Sequence, residues 1–98
     1  MGYNNHMISN IKHKQPEALY LYDQTKGVQQ SQVRRLKIIL QVLSAAVVIS
    51  DIDRPGLNLH KLTGDLAGLW AVKVDGNYRV IFGFADGQVF NVDLVDYH

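Results

Sequence analysis

Leu69-Trp70-Ala71-Val72-Lys73-Val74, Tyr78-Arg79-Val80-Ile81-Phe82-Gly83-Phe84 and Gln88-Val89-Phe90-Asn91-Val92-Asp93-Leu94-Val95 are three short runs rich in β-branched and aromatic residues. Each has the composition of a half-buried strand. The gaps between them hold Asp75-Gly76 and Asp86-Gly87, dipeptides that accept the positive φ angles of tight hairpin turns. Runs joined by such turns predict consecutive antiparallel strands. Leu57-Asn58-Leu59-His60-Lys61-Leu62, lying just before, predicts one more strand in the same sheet.

N-terminal to these runs the period changes. Val33, Leu36, Leu40, Leu43 and Val47 recur at steps of three and four, while Arg34, Arg35, Lys37, Gln41 and Ser44 fall between them. This is the pattern of an amphipathic helix with its apolar stripe on a core, and Ser31 is placed to cap its start. Pro16 fits the first turn of an earlier helix, Pro16 to Tyr22, with Gly27 closing it. Met7 to Lys14 reads as a short edge strand. Asp51-Ile52-Asp53-Arg54-Pro55-Gly56 is expected as a loop, since Pro55 and Gly56 interrupt it and the carboxylates resist burial. The fold class is therefore α+β: two N-terminal helices packed on a small, mainly antiparallel sheet.

Composition sets the outer limits. The 98 residues suffice for one small domain with one core, and 47% hydrophobic content is that of a packed chain. There is no cysteine, which removes disulfides and thiolate metal ligands and suits a reducing cytoplasm, the expected location. No apolar run is long enough for a membrane span, and no signal peptide is visible. Met1 to His6, ahead of a second methionine at Met7, has the look of an expression-tag remnant, leaving residues 7–98 as the expected domain. The formal net charge of +1 argues against a protein that coats RNA by charge alone, because phosphate contacts supply most non-specific affinity. It leaves room for a local basic face.

Two groups of chemistry-bearing residues stand out. One is the terminal Asp96-Tyr97-His98, following directly on the last strand; the other is His60-Lys61 with Asn77-Tyr78-Arg79. Taken in order, Pro55-Gly56, Leu59-His60, Gly64-Asp65, Gly68, Asn77-Tyr78-Arg79 and Asp96-Tyr97-His98 resemble the HigB toxins of the RelE superfamily. The resemblance runs from near Met7 to His98, and its specific part is the C-terminal half. It implies a RelE-like microbial ribonuclease fold and a ribosome-dependent endoribonuclease, or mRNA interferase, that cuts mRNA in the ribosomal A site. It also implies a HigA-like helix-turn-helix antitoxin as partner, with operator DNA reached only through that antitoxin.

Metal-free RNA cleavage needs a base for the 2′-OH proton, an acid for the departing 5′-oxygen and a cation for the charge on the phosphorane. Imidazoles suit both proton transfers. The resemblance assigns these to His60 and His98, with Arg79 stabilising the phosphate and Asp96 and Tyr97 positioning the substrate. Lys61, Tyr78, Arg34 and Arg35 are candidate RNA contacts. Each has a plainer reading: His60 on a polar strand face, Arg79 in an ion pair with Asp75 or Asp93, Tyr97 closing the edge of the core, Arg34 and Arg35 on a solvated helix face. No cofactor is expected. His13, His60 and His98 lack metal-ligand spacing, and Gly64, Gly68 and Gly76 do not form a phosphate loop ahead of a helix.

Three positions depart from the family pattern. Thr63 and Leu66 stand where the family tends to have basic residues, and Tyr78 stands where tryptophan is more usual. Two fewer cations lower the expected RNA affinity. They open an alternative: a catalytically weak or inactive module that binds the antitoxin and acts as a co-repressor.

Overall fold

The computed structural model describes residues 30–96. The expected edge strand at 7–14 and first helix from Pro16 lie outside the described residues, as do Tyr97 and His98. Within them the order is a helix α1 (Gln30–Ala45), strand β1 (His60–Lys61), β2 (Trp70–Lys73), β3 (Tyr78–Ala85) and β4 (Gln88–Asp96). Single 3₁₀ turns occupy Ile49–Ile52 and Gly64–Leu66. The four strands form one antiparallel sheet in chain order, the meander expected from the alternating runs.

Helix α1 supplies Leu36, Ile39, Leu40 and Leu43 to the core, all essentially inaccessible, where they meet Val72, Val74, Val80, Phe82, Val89 and Val92 from one face of the sheet. Covering an apolar sheet face with an apolar helix stripe removes both from water and is the main source of stability in such a layer. Two details differ from the sequence reading. The helix already includes Ser31 and ends at Ala45, so Ser31 lies in its first turn rather than at its cap, and Val47 sits beyond it, 49% exposed. Ile39, which the stripe leaves out, is fully buried, and Ala46 rather than Val47 is the buried residue after the helix end.

The helix end is held by the following turn. The Asp51 carboxylate accepts hydrogen bonds from the backbone N–H groups of Val47 (2.9 Å) and Val48 (3.2 Å), so the expected loop at 51–56 begins inside a 3₁₀ turn. The predicted strand over 57–62 shrinks to His60–Lys61. Asn58 has φ 52°, a left-handed backbone that breaks an extended run, and Leu57, buried in the main core, keeps one backbone bond to β2 by accepting from Lys73 N–H at 2.7 Å.

The two hairpin turns are built differently. Asp86 (φ 52°) and Gly87 (φ 75°) both adopt positive φ, as a two-residue turn matched to strand twist requires. At the other turn, Asp75 works through its side chain: Oδ1 accepts from the N–H groups of Asn77 (2.9 Å) and Tyr78 (2.8 Å). Gly76 there has no positive φ among the glycines that do, which corrects the expectation for Asp75-Gly76.

A β-bulge interrupts β4. The β3–β4 register shifts between Ile81 and Gly83, and Asn91 there has φ 54°. Before the bulge, Val89 faces the core and Phe90 pairs with Gly83; after it, Val92 and Leu94 face the core. The extra residue resets the alternation, so strict period two fails at this point.

Candidate active face

The side of the sheet away from α1 carries a second, smaller apolar group of Leu62, Ala71 and Ile81, with Leu69 and Val95 packed against it. Directly paired residues share a face. His60 pairs with Ala71, Ala71 with Ile81 and Ile81 with Asp93; one row on, Lys73 pairs with Arg79 and Arg79 with Val95. This outer face therefore holds His60, Lys73, Arg79 and Asp93 around an apolar floor.

His60 is exposed on the edge strand, and its Nδ1 lies 2.8 Å from the Asn58 carbonyl oxygen. A carbonyl can only accept, so Nδ1 carries the proton and Nε2 of the neutral ring is left as the acceptor. That tautomer is the one a general base needs. The left-handed backbone at Asn58 sets where its carbonyl points and so which ring nitrogen is used.

Arg79 is half-buried, and Nη1 donates to the carbonyls of Asp75 (2.6 Å) and Tyr78 (3.1 Å). Both acceptors belong to the β2–β3 turn, so backbone oxygens of that turn hold the guanidinium. Across the hairpin Arg79 faces Lys73. Like charges directly opposite one another destabilise a strand pair, whereas a phosphate placed between them would be attracted by both. Two strand spacings and two residues separate His60 from Arg79, about 12 Å between backbones.

The remaining expected residues fall elsewhere. Tyr78 pairs with Asp96, and Tyr78 packs against the main core, which puts both on the helix side of the sheet. Lys61 lies across from Trp70 with Nζ 5.3 Å from the indole centroid, a cation–π distance; Trp70 also packs on the main core. Arg34 is exposed on α1. Arg35 donates through Nη2 to the carbonyls of Gly56 and Lys73 (3.2 Å), fastening α1 to the loop before β1 and to the end of β2. The structure thus brings His60 and Arg79 to one face and sets Lys61, Tyr78, Asp96, Arg34 and Arg35 apart from them. Thr63 and Leu66 are exposed beside β1, Leu66 at 42%.

Sequence reasoning passed over Lys73 as a site residue. Its signal was available: in a hairpin whose turn holds Asp75-Gly76, Lys73 falls opposite Arg79. Gln32 was missed as well. It is 3% exposed, and its Nε2 donates to Asp75 Oδ2 at 3.1 Å; no period-based signal marks a polar residue of that kind. The bond from Gln32, followed by those from Asn77 and Tyr78, holds the Asp75 carboxyl below its ordinary range.

Comparison with known proteins places the chain in a family. Residues 9–98 match the family model of the HigB-like toxins, described as RelE-like toxins of type II toxin–antitoxin systems. The chain is 35% identical over 92 residues to Endoribonuclease HigB of Proteus vulgaris, covering 94% of this chain and all of that protein. Toxin HigB-1 of Vibrio cholerae serotype O1 is 38% identical over 56 residues, 56% of this chain and 59% of that one. The chain belongs to the HigB-like family of RelE-like toxins.

Proposed function

We propose that this protein is an endoribonuclease toxin that cleaves mRNA in the ribosomal A site and is neutralised by a HigA-type antitoxin. The observation that carries the reading is one sheet face bearing an imidazole with its Nε2 set as acceptor and, across the sheet, an opposed Lys73–Arg79 pair suited to phosphate. The near full-length likeness to a protein named as an endoribonuclease supports the same chemistry.

His60 takes or returns a proton through Nε2, and Arg79 stabilises the negative charge that builds on phosphorus as the 2′-oxygen attacks. His60 and His98 divide the two transfers, one taking the 2′-OH proton and the other protonating the departing 5′-oxygen, and the product ends in a 2′,3′-cyclic phosphate. Tyr97 positions the nucleotide; Asp96, paired with Tyr78 on the opposite face, is left without that role. Because the net charge is only +1, the ribosome supplies the bent, unstacked mRNA, and free RNA is cut poorly.

The test is cleavage of a defined mRNA on programmed ribosomes, with EDTA-treated free RNA alongside and the 5′ ends mapped. Cuts inside the decoding site, lost in His60→Ala and in His98→Ala, are expected. Intact mRNA with active ribosomes would favour the second reading, a non-catalytic antitoxin-binding co-repressor, for which Thr63 and Leu66 speak, standing where the family tends to have basic residues. Induction in cells separates the two: the nuclease arrests growth, the binding module does not.

A further inference from the structure

We propose that Asp75, braced by Gln32, is a positioning residue for Arg79. The proposal rests on the reading of Arg79 as the group that stabilises the phosphate. Asp75 sits at the start of the β2–β3 turn and uses both carboxylate oxygens. Oδ1 takes the N–H groups of Asn77 and Tyr78, and Oδ2 takes the side-chain amide of Gln32, which lies nearly inaccessible in α1. Two further backbone bonds, from Val74 N–H (3.0 Å) and Asp75 N–H (3.3 Å), converge on the Tyr78 carbonyl. These contacts fix the Asp75 and Tyr78 peptide planes, and the carbonyls of those two residues receive Arg79 Nη1.

A chain of contacts therefore runs from the first turn of α1, through Asp75, to the guanidinium. An arginine has many rotamers, and holding one in place removes an entropy cost from the reaction step. Two carbonyls on Nη1 fix the plane of the whole fork, because the guanidinium is rigid. Asp75 does not itself touch substrate in this scheme. Its carboxylate orients a turn, the turn's oxygens orient Arg79, and Gln32 keeps the turn in register with the body of the protein.

The experiment compares single-turnover cleavage and KM on programmed ribosomes for Asp75→Ala, Asp75→Asn, Gln32→Met, Arg79→Ala and the double variant Asp75→Ala/Arg79→Ala. Thermal unfolding is followed for each. Arg79→Ala should slow cleavage about 100-fold or more, the size of a lost charge-stabilising donor. Asp75→Ala should slow it about 10- to 100-fold with KM little changed, as for a displaced catalytic group. Asp75→Asn, whose amide oxygen still accepts from Asn77 and Tyr78 and whose NH2 can donate to Gln32 Oε1 once that amide turns over, should stay within about threefold of the parent. In the Arg79→Ala background, Asp75→Ala should cost no further activity while still lowering the unfolding temperature. Equal losses from Asp75→Ala with and without Arg79 would overturn the proposal, because a purely structural residue acts that way. An unchanged rate in Asp75→Ala beside a slow Arg79→Ala would also overturn it. A full rate in Arg79→Ala alone would remove the underlying reading of Arg79, and that result is visible without any Asp75 variant. If Asp75→Ala does not fold, Gln32→Met decides by the same comparison: it should slow cleavage several-fold only when Arg79 is present.

Discussion

Asp51 and Asp75 are acidic residues whose charged forms the fold prefers, each for a visible reason. Asp51 accepts the N–H groups of Val47 and Val48 at the end of α1, and these two bonds hold its carboxyl below the ordinary range. Asp75 is held down first by the Gln32 amide and then by the turn N–H groups. A carboxyl with a folded pKa below its unfolded one stabilises the protein above the unfolded value, near 3.9 for an aspartate, and that stability is lost as pH falls through the folded value. The unfolding temperature should therefore drop steeply below about pH 4. In Asp51→Asn/Asp75→Asn the drop should be shallower, because these amides do not titrate. Thermal melts between pH 7 and pH 2 measure this, and parallel curves for parent and variant would show that other carboxylates govern the acid limb. His60 illustrates a different limit at this scale: its place in the sequence was legible, whereas the proton on Nδ1 is set by a carbonyl two residues away whose direction depends on a left-handed Asn58.

Strand β4 shows how one residue decides which face the following residues occupy. Asn91 is the extra residue of a bulge, and a one-residue change of register exchanges every side chain between faces. With the bulge in place, Asp93 and Val95 lie on the outer face and Asp96 with Tyr78 on the other. The same irregularity brings Phe90 over Gly83, where an added Cβ would meet the ring at 2.4 Å. Gly83→Ala should destabilise the protein by about 1–3 kcal/mol through overpacking. The loss should be largely absent when the change is made in a Phe90→Ala background, as a double-mutant cycle in urea would show; additive losses would place the strain in the backbone instead. The helix and the three long strands were legible because their apolar period is strong. The bulge was not, since Phe90-Asn91-Val92 continues a plausible alternation. Nor was the shortening of β1, where Leu57 and Leu59 look like strand residues, but Leu57 is drawn into the main core. Arg35 looked like a solvent-facing cation, and its use as a tie to Gly56 and Lys73 depends on contacts distant in sequence.

For the molecule as a whole, the question is how a chain with a formal charge of +1 engages a polyanion. The outer face carries two cations, Lys73 and Arg79 opposite one another, together with His60 and the Asp93 carboxylate, and Arg79, like Arg35, also holds backbone carbonyls. Two phosphate contacts on single-stranded RNA give a slope of log Kobs against log salt of about −1.4, and so an affinity loss of about sevenfold between 50 and 200 mM salt. A broad basic surface would give a much steeper dependence. Fluorescence anisotropy of a labelled single-stranded RNA, titrated with a cleavage-deficient His60→Ala variant, reads the slope directly. Adding Lys73→Gln should flatten it by about 0.7 and weaken binding to all sequences alike, because a phosphate contact carries no base information. A slope steeper than about −4 would mean many phosphate contacts, and recognition would then rest on the protein's own surface. A shallow slope would support the proposed reliance on the ribosome for mRNA capture, with the sheet face contributing little more than the groups that act at one phosphate.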